Sequence, residues 1–165
     1  MNTNIDKIIS EAVNEILSKN SQNTEFRTVN HVTLNLARKL IYRVEQKAEE
    51  MGVKAVVAVS DASARIIAVE CMDDAYIASY DVAVNKTFTC ASLKMSTKQL
   101  STLAAPGQSL YGIQFTNQGK IVIFGGGEVL KRNGEIVGAV GISGGSEEQD
   151  TALAEYAKQV FENMI

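Results

Sequence analysis

Apolar residues recur along the chain in two rhythms, one near 3.6 residues and one of two, and the changes of rhythm mark out the elements. In IDKIISEAVNEILSK, Ile5, Ile8, Ile9, Ala12, Val13, Ile16 and Leu17 fall on one helical face opposite charged positions. This spacing predicts an amphipathic helix. The polar segment NSQNTE, Asn20 to Glu25, has almost nothing to bury and reads as a linker. The pattern therefore divides the chain into a helix with its linker, residues 1–25, and a main domain, residues 26–165.

A second helical stripe, Leu36, Ala37, Leu40, Ile41, Val44 and Ala48, runs from Val32 to Glu50, and Gly52 stands where a helix ends in positive φ. VKAVVAVS and RIIAVECM are strand-like and flank the turn DASA, which predicts an antiparallel pair. Asp73 or Asp74 is placed to cap a third helix through Ala75, Ala78, Val82, Ala83 and Lys86 to about Leu93, its alanines suited to close packing on a sheet. TKQLSTLA suggests a short helix stopped by Pro106 and Gly107. KIVIFGGG reads as a strand, and EVLKRNGEIVGAVGIS as a hairpin, because Asn133-Gly134 suits a type I′ turn. A last helix runs from Glu147 to about Asn163, with Leu153, Tyr156, Ala157, Val160, Phe161 and Met164 facing inward. The sum is an α+β fold with an antiparallel sheet of about five strands packed with helices.

Composition narrows the function more than the fold. With 165 residues, 45% hydrophobic and 21% charged, the chain suits one compact domain, and no apolar run reaches the roughly 20 residues that span a bilayer. The net charge of −3 and scattered basic residues leave no concentrated positive face for nucleic acid. Cys71 and Cys90 lie outside any Cys-x-x-Cys pair, and His31 is the single histidine, so a zinc set is lacking. Reduced thiols and an amino end without the basic-then-apolar order of a secretion signal point to a cytoplasmic protein.

Few residues carry obvious chemistry. GAVGISGGSEEQD, Gly138 to Asp150, could present free helix N–H groups to a phosphate, yet Glu147, Glu148 and Asp150 would repel one. Ser146 with Gln149 forms a capping box for the same N–H groups, which favours a structural corner. His31 is either a solvated helix-start residue or an axial ligand to haem iron, which needs one imidazole only. CMDDA brings together a thiol, the Met72 thioether and two carboxylates, and Lys86 is either a desolvated amine or a snorkelling one. No nucleophile, base and orienting acid form a recognisable set.

Taken together, VVAVSDASARIIA, CMDDAYIASYDVAVNKTFTCASLKMST, PGQSLYGIQ, IVIFGGG, NGEIVGAVGISGG and EQD resemble the haem-degrading and haem-binding GlcG/HbpS group. Within it they are most similar to the C-terminal domain of PduO-type corrinoid adenosyltransferases. The resemblance covers about Val32 to Phe161, with two departures: Ala64 stands for a turn glycine, and Glu128 for a proline after the glycine run. It implies an antiparallel α+β fold, self-assembly into dimers or larger rings, often octamers, and a haem site, or alternatively a corrinoid site. His31 lies in the region from which relatives offer a histidine to the iron, so its metal role would be through haem alone; Met72 is a further cofactor-binding candidate. Adenosyltransferase activity belongs to a separate domain for which this chain has no room.

The amphipathic helix ahead of such a domain looks like the peptides that carry enzymes into bacterial microcompartments by docking on shell proteins. The leading expectation is an oligomeric haem- or corrinoid-binding module of propanediol- or ethanolamine-type microcompartment metabolism, cytoplasmic or in the compartment lumen. One alternative is an enzyme acting on haem or a small oxo or hydroxy acid, with Asp61, Asp73 and Lys86 as its polar groups. Another is a non-catalytic assembly subunit.

Overall fold

The computed structural model describes residues 31–164; the expected helix over 5–17 and its linker lie outside them. Helix α1, Leu34–Glu50, starts at Thr33, whose hydroxyl accepts from the Leu36 N–H at 3.2 Å, and ends at Met51 followed by Gly52 with φ of 68°. Its buried residues, Ala37, Leu40, Ile41, Val44 and Ala48, are five of the six positions in the sequence stripe. Strands β1, Val56–Asp61, and β2, Ile66–Cys71, form the expected antiparallel hairpin. Helices α2, Ser79–Leu93, and α3, Thr97–Ala104, follow, then two short 3₁₀ turns, Ile113–Phe115 and Asn117–Gly119. Strands β3, Gly127–Arg132, and β4, Glu135–Ser143, meet through Asn133 and Gly134, both at positive φ as a type I′ turn requires. Helix α4, Glu147–Asn163, closes the fold.

The sheet is antiparallel throughout in the order β2-β1-β4-β3, which puts β1 and β4 in its centre. Alternation then separates two faces. Val57, Val59, Val140 and Ile142 point toward α1 and α4, where they pack with Leu40, Ile41, Val44, Leu153, Ala157 and Phe161. Burial of each of the larger of these side chains stabilises the fold by about 1.5–3 kcal/mol. The other face is lined by smaller groups, Val56 and Ala58 against Ala83, and Val129 and Ala139 against Cys90 and Ala91. Here α2 lies so close that a Cβ on Gly141 would run into the Ala83 carbonyl oxygen. Of the alanines expected to pack closely, Ala83 does so, whereas Ala75 and Ala78 precede the helix and Ala78 is exposed.

Two expectations need correction. The sheet has four strands among the described residues, because 121–126 form no strand. Ile121 and Val122 are buried, but the Val122 N–H donates to the Thr89 hydroxyl of α2 at 2.9 Å instead of to a neighbouring strand. A short apolar run has no period to distinguish a strand from a buried connector. Helix α2 also begins five residues after Asp74, at Ser79, with no side-chain cap. Asp74 sits at φ of 64°, and the N–H groups of Ala75 and Ser79 close successive turns on Met72 and Tyr76. Neither aspartate caps the helix.

Candidate functional site

Two places concentrate polar chemistry. The first is a hollow of about 510 Å³ between the start of α1 and the β1–β2 hairpin, lined by His31, Val32, Thr33, Leu34, Asp61, Arg65 and Ile67. Its volume lies within the roughly 300–1,000 Å³ usual for small-molecule sites. His31 is exposed at the mouth, one residue before the buried Val32. Leu34 is 47% exposed although it is apolar, and Ile67 is half-buried. The Thr33 hydroxyl is already engaged as the α1 cap, and the first turn of α1 carries no acid of its own.

Asp61 shapes the rim. One of its carboxylate oxygens accepts from the backbone N–H groups of Ser63 and Arg65, each at 2.9 Å. The other accepts from Arg65 Nε at 3.1 Å, so Asp61 holds the hairpin turn and fixes the arginine at once. The turn includes Ala64 at φ of 62°, where the resemblance expects glycine.

The second place is inside the protein. Lys86, at 0% exposure, lies three residues after Ala83 and four before Cys90, on the face of α2 turned to the sheet. Its ammonium donates to the Ile142 carbonyl at 2.6 Å and to Asp150 Oδ2 at 3.0 Å, with the Phe124 ring centroid at 4.9 Å. Asp150 Oδ1 accepts from the Gly145 N–H at 2.9 Å, and Glu147 accepts from the Gly125 N–H at 2.8 Å. Burial pushes the Lys86 amine below its ordinary value against the pull of Asp150. The same burial pushes the Asp150 carboxyl up, against the opposing effects of Lys86 and the N–H groups of Gly145 and Gly144. Cys90, nearby, is pushed up to about 12 by desolvation and is an unreactive thiol there.

The corner from Gly138 to Asp150 thus uses its own side chains on its helix start. Ser146 and Gln149 form the complete capping box, and Asp150 and Glu147 take glycine N–H groups that a phosphate would need. The run Gly125-Gly126-Gly127 has a steric cause. A Cβ on Gly126 would fall 2.5 Å from Lys86 Nζ, and one on Gly127 would fall 2.8 Å from Cys90 Sγ.

The residues singled out from sequence fall into separate surroundings. His31 and Asp61 share the hollow. Asp73 is exposed in the β2–α2 connection, and Met72 is half-buried, its sulfur accepting from the Ala55 N–H at 3.3 Å. Lys86 is buried against Asp150, away from both aspartates of the proposed enzyme set. Sequence reasoning missed Asp150 as its partner, 64 residues away, and missed Arg65 altogether. The signal for a buried amine was present: a lysine spaced among small apolar helix positions, and a run of glycines leaving room for it.

Comparison with known proteins agrees with this architecture. Residues 32–159 match the family model described as HbpS-like, haem degrading protein HbpS-like. The chain is 44% identical over 133 residues to an uncharacterized 15.0 kDa protein in the dhaT-dhaS intergenic region of Citrobacter freundii, covering 81% of this chain and 94% of that one. It is 41% identical over 111 residues to the corrinoid adenosyltransferase PduO of Citrobacter freundii, covering 67% of this chain but 33% of PduO. Among solved structures it is similar to a PduOC:heme complex, with a TM-score of 0.75 and 36% identity over 78% of this chain and 94% of that one.

Proposed function

Because the chain belongs to the HbpS-like family, we propose that it is a haem-binding module in which His31 supplies an axial nitrogen to the iron. The observation that carries this reading is the placement of the single histidine, exposed at the mouth of a hollow with the apolar Val32, Leu34 and Ile67 in its lining. The similarity to a structure of a PduOC:heme complex supports it. The donor set fits such a group. Among the described residues no three His, Cys, Asp or Glu side chains could hold a bare metal ion, whereas an iron already held by a porphyrin needs one imidazole. Bound haem would supply the redox and ligand-binding chemistry of its iron. A corrinoid would call on the same nitrogen, but the haem complex among the relatives favours haem.

Haem titration of the purified protein tests the proposal. The wild type should develop a shifted Soret band, and His31→Ala should lose or displace it. No shift in either protein overturns the haem reading; identical bands in both overturn the role of His31.

The proposal includes self-association. Tyr76 and Ile77, in the turns leading into α2, and Tyr80 in its first turn are 73%, 99% and 49% exposed, and a run of large apolar groups in water calls for a covering surface. A second copy of the chain is the occupant in keeping with the ring assemblies expected from the resemblance. It also includes residues 1–25 as a targeting peptide for microcompartment shell proteins, on the strength of their apolar stripe and polar linker. Among the described residues no helix is long and apolar enough to cross a membrane. Adenosyltransferase activity, named for relatives of which the chain matches one third, forms no part of the proposal. The enzyme alternative is less favoured because Asp61, Asp73 and Lys86 do not converge.

A further inference from the structure

We propose that Arg65 is the carboxylate-recognising group of the His31 hollow, so that the site selects a flat apolar ligand by an acidic substituent as well as by its iron. This rests on the haem reading above and adds a specificity residue to it. Arg65 lines the same hollow as His31, and its side chain is 83% exposed. An unrestrained surface arginine samples many rotamers and gains little from an ion pair. This one is restrained. Its backbone N–H and its Nε both donate to Asp61, which is itself held by the Ser63 N–H.

The geometry leaves a defined part of the guanidinium for a ligand. Nε is engaged at 3.1 Å, while no protein acceptor of the described residues takes the two Nη groups. Those N–H groups form the planar pair that grips a carboxylate in two parallel hydrogen bonds, and an arginine held in place beforehand loses less rotamer freedom on doing so. The apolar side chains Leu34 and Ile67 lie in the same hollow, so one ligand can lay its hydrophobic body on them and turn its acidic edge to Arg65. Asp61 orients Arg65 and is a positioning residue, three donors sharing its two carboxylate oxygens.

The hairpin does not depend on the guanidinium, since the Ser63 and Arg65 backbone N–H groups hold Asp61 whatever side chain follows. Arg65→Met is therefore a clean test, with Arg65→Lys as a second variant that keeps the charge but removes the planar pair. Each protein is titrated with haem and with haem dimethyl ester, reading the dissociation constant and the Soret position. Loss of a two-pronged, charge-assisted contact should weaken haem binding about five- to tenfold in Arg65→Met. Arg65→Lys should fall between it and wild type, and the Soret position set by His31 should stay unchanged in all three. The ester should bind wild type and Arg65→Met alike. Equal haem affinity in wild type and Arg65→Met, or an equal loss with the ester, overturns the role of Arg65 and leaves the haem reading standing. Absence of any Soret change in wild type with either ligand overturns both.

Discussion

Lys86 brings an amine into a layer of small apolar side chains, alanine, valine and cysteine, and its stability consequences belong to single side chains. Both members of its pair are shifted by burial in the direction that disfavours their charges, so the pair holds geometry more than it adds stability. Removing one partner is another matter. Lys86→Met should destabilise the fold by about 3–5 kcal/mol, because the Asp150 carboxylate is left buried without its cation. Lys86→Met/Asp150→Asn should recover most of that loss, the amide oxygen still accepting from Gly145. Urea unfolding of both variants measures the difference, and equal losses would contradict it. The deficit of Lys86→Met also has a pH signature. Removing Lys86 takes away an effect that lowers the Asp150 pKa, so the carboxyl binds its proton still more readily folded than unfolded; the deficit is full above that raised pKa and narrows as pH falls through it toward the ordinary carboxylate range.

At the level of elements, the period of the apolar pattern decided what could be read from sequence. Helix α1 and helix α4 carry full 3.6-residue stripes with caps at their starts, and both run as the pattern predicts. The two hairpins were legible from alternation and from Asn133-Gly134. Residues 121–126 were not, since Ile121 and Val122 are buried under a side-chain contact from α2 that no local rule encodes. The start of α2 was lost for a related reason: Asp73 and Asp74 look like caps, but tight turns hold the chain there until Ser79. Those turns leave Tyr76, Ile77 and Tyr80 outside, which makes the entry to α2 the face on which the proposed self-association would rest. Ile77→Glu should shift the protein to smaller species in sedimentation, since it removes about 1.5–3 kcal/mol of apolar burial per copy and places a charge in the contact. An unchanged mass would rule out this face as the interface.

For the molecule as a whole, the sheet divides the labour. Its large-residue face, under α1 and α4, forms the main core, while the β1–β2 turn and the start of α1 meet in the His31 hollow. His31 itself was visible in the sequence as the single histidine, but Arg65 was hidden, because only the folded turn brings it into the same hollow. The chain ahead of this body has its own role to be tested. Residues 1–25 fused to a fluorescent protein should gather into discrete bodies in a compartment-forming cell, and diffuse fluorescence would defeat the targeting proposal. Cys90 adds a practical consequence. It is one of two cysteines in the chain, walled in between α2 and Gly127 and kept as a thiol by a pKa of about 12, whereas Cys71 ends β2 in the open. The native sequence therefore carries a single-site attachment point for a dye, from which energy transfer to a bound porphyrin can be followed without engineering any residue away.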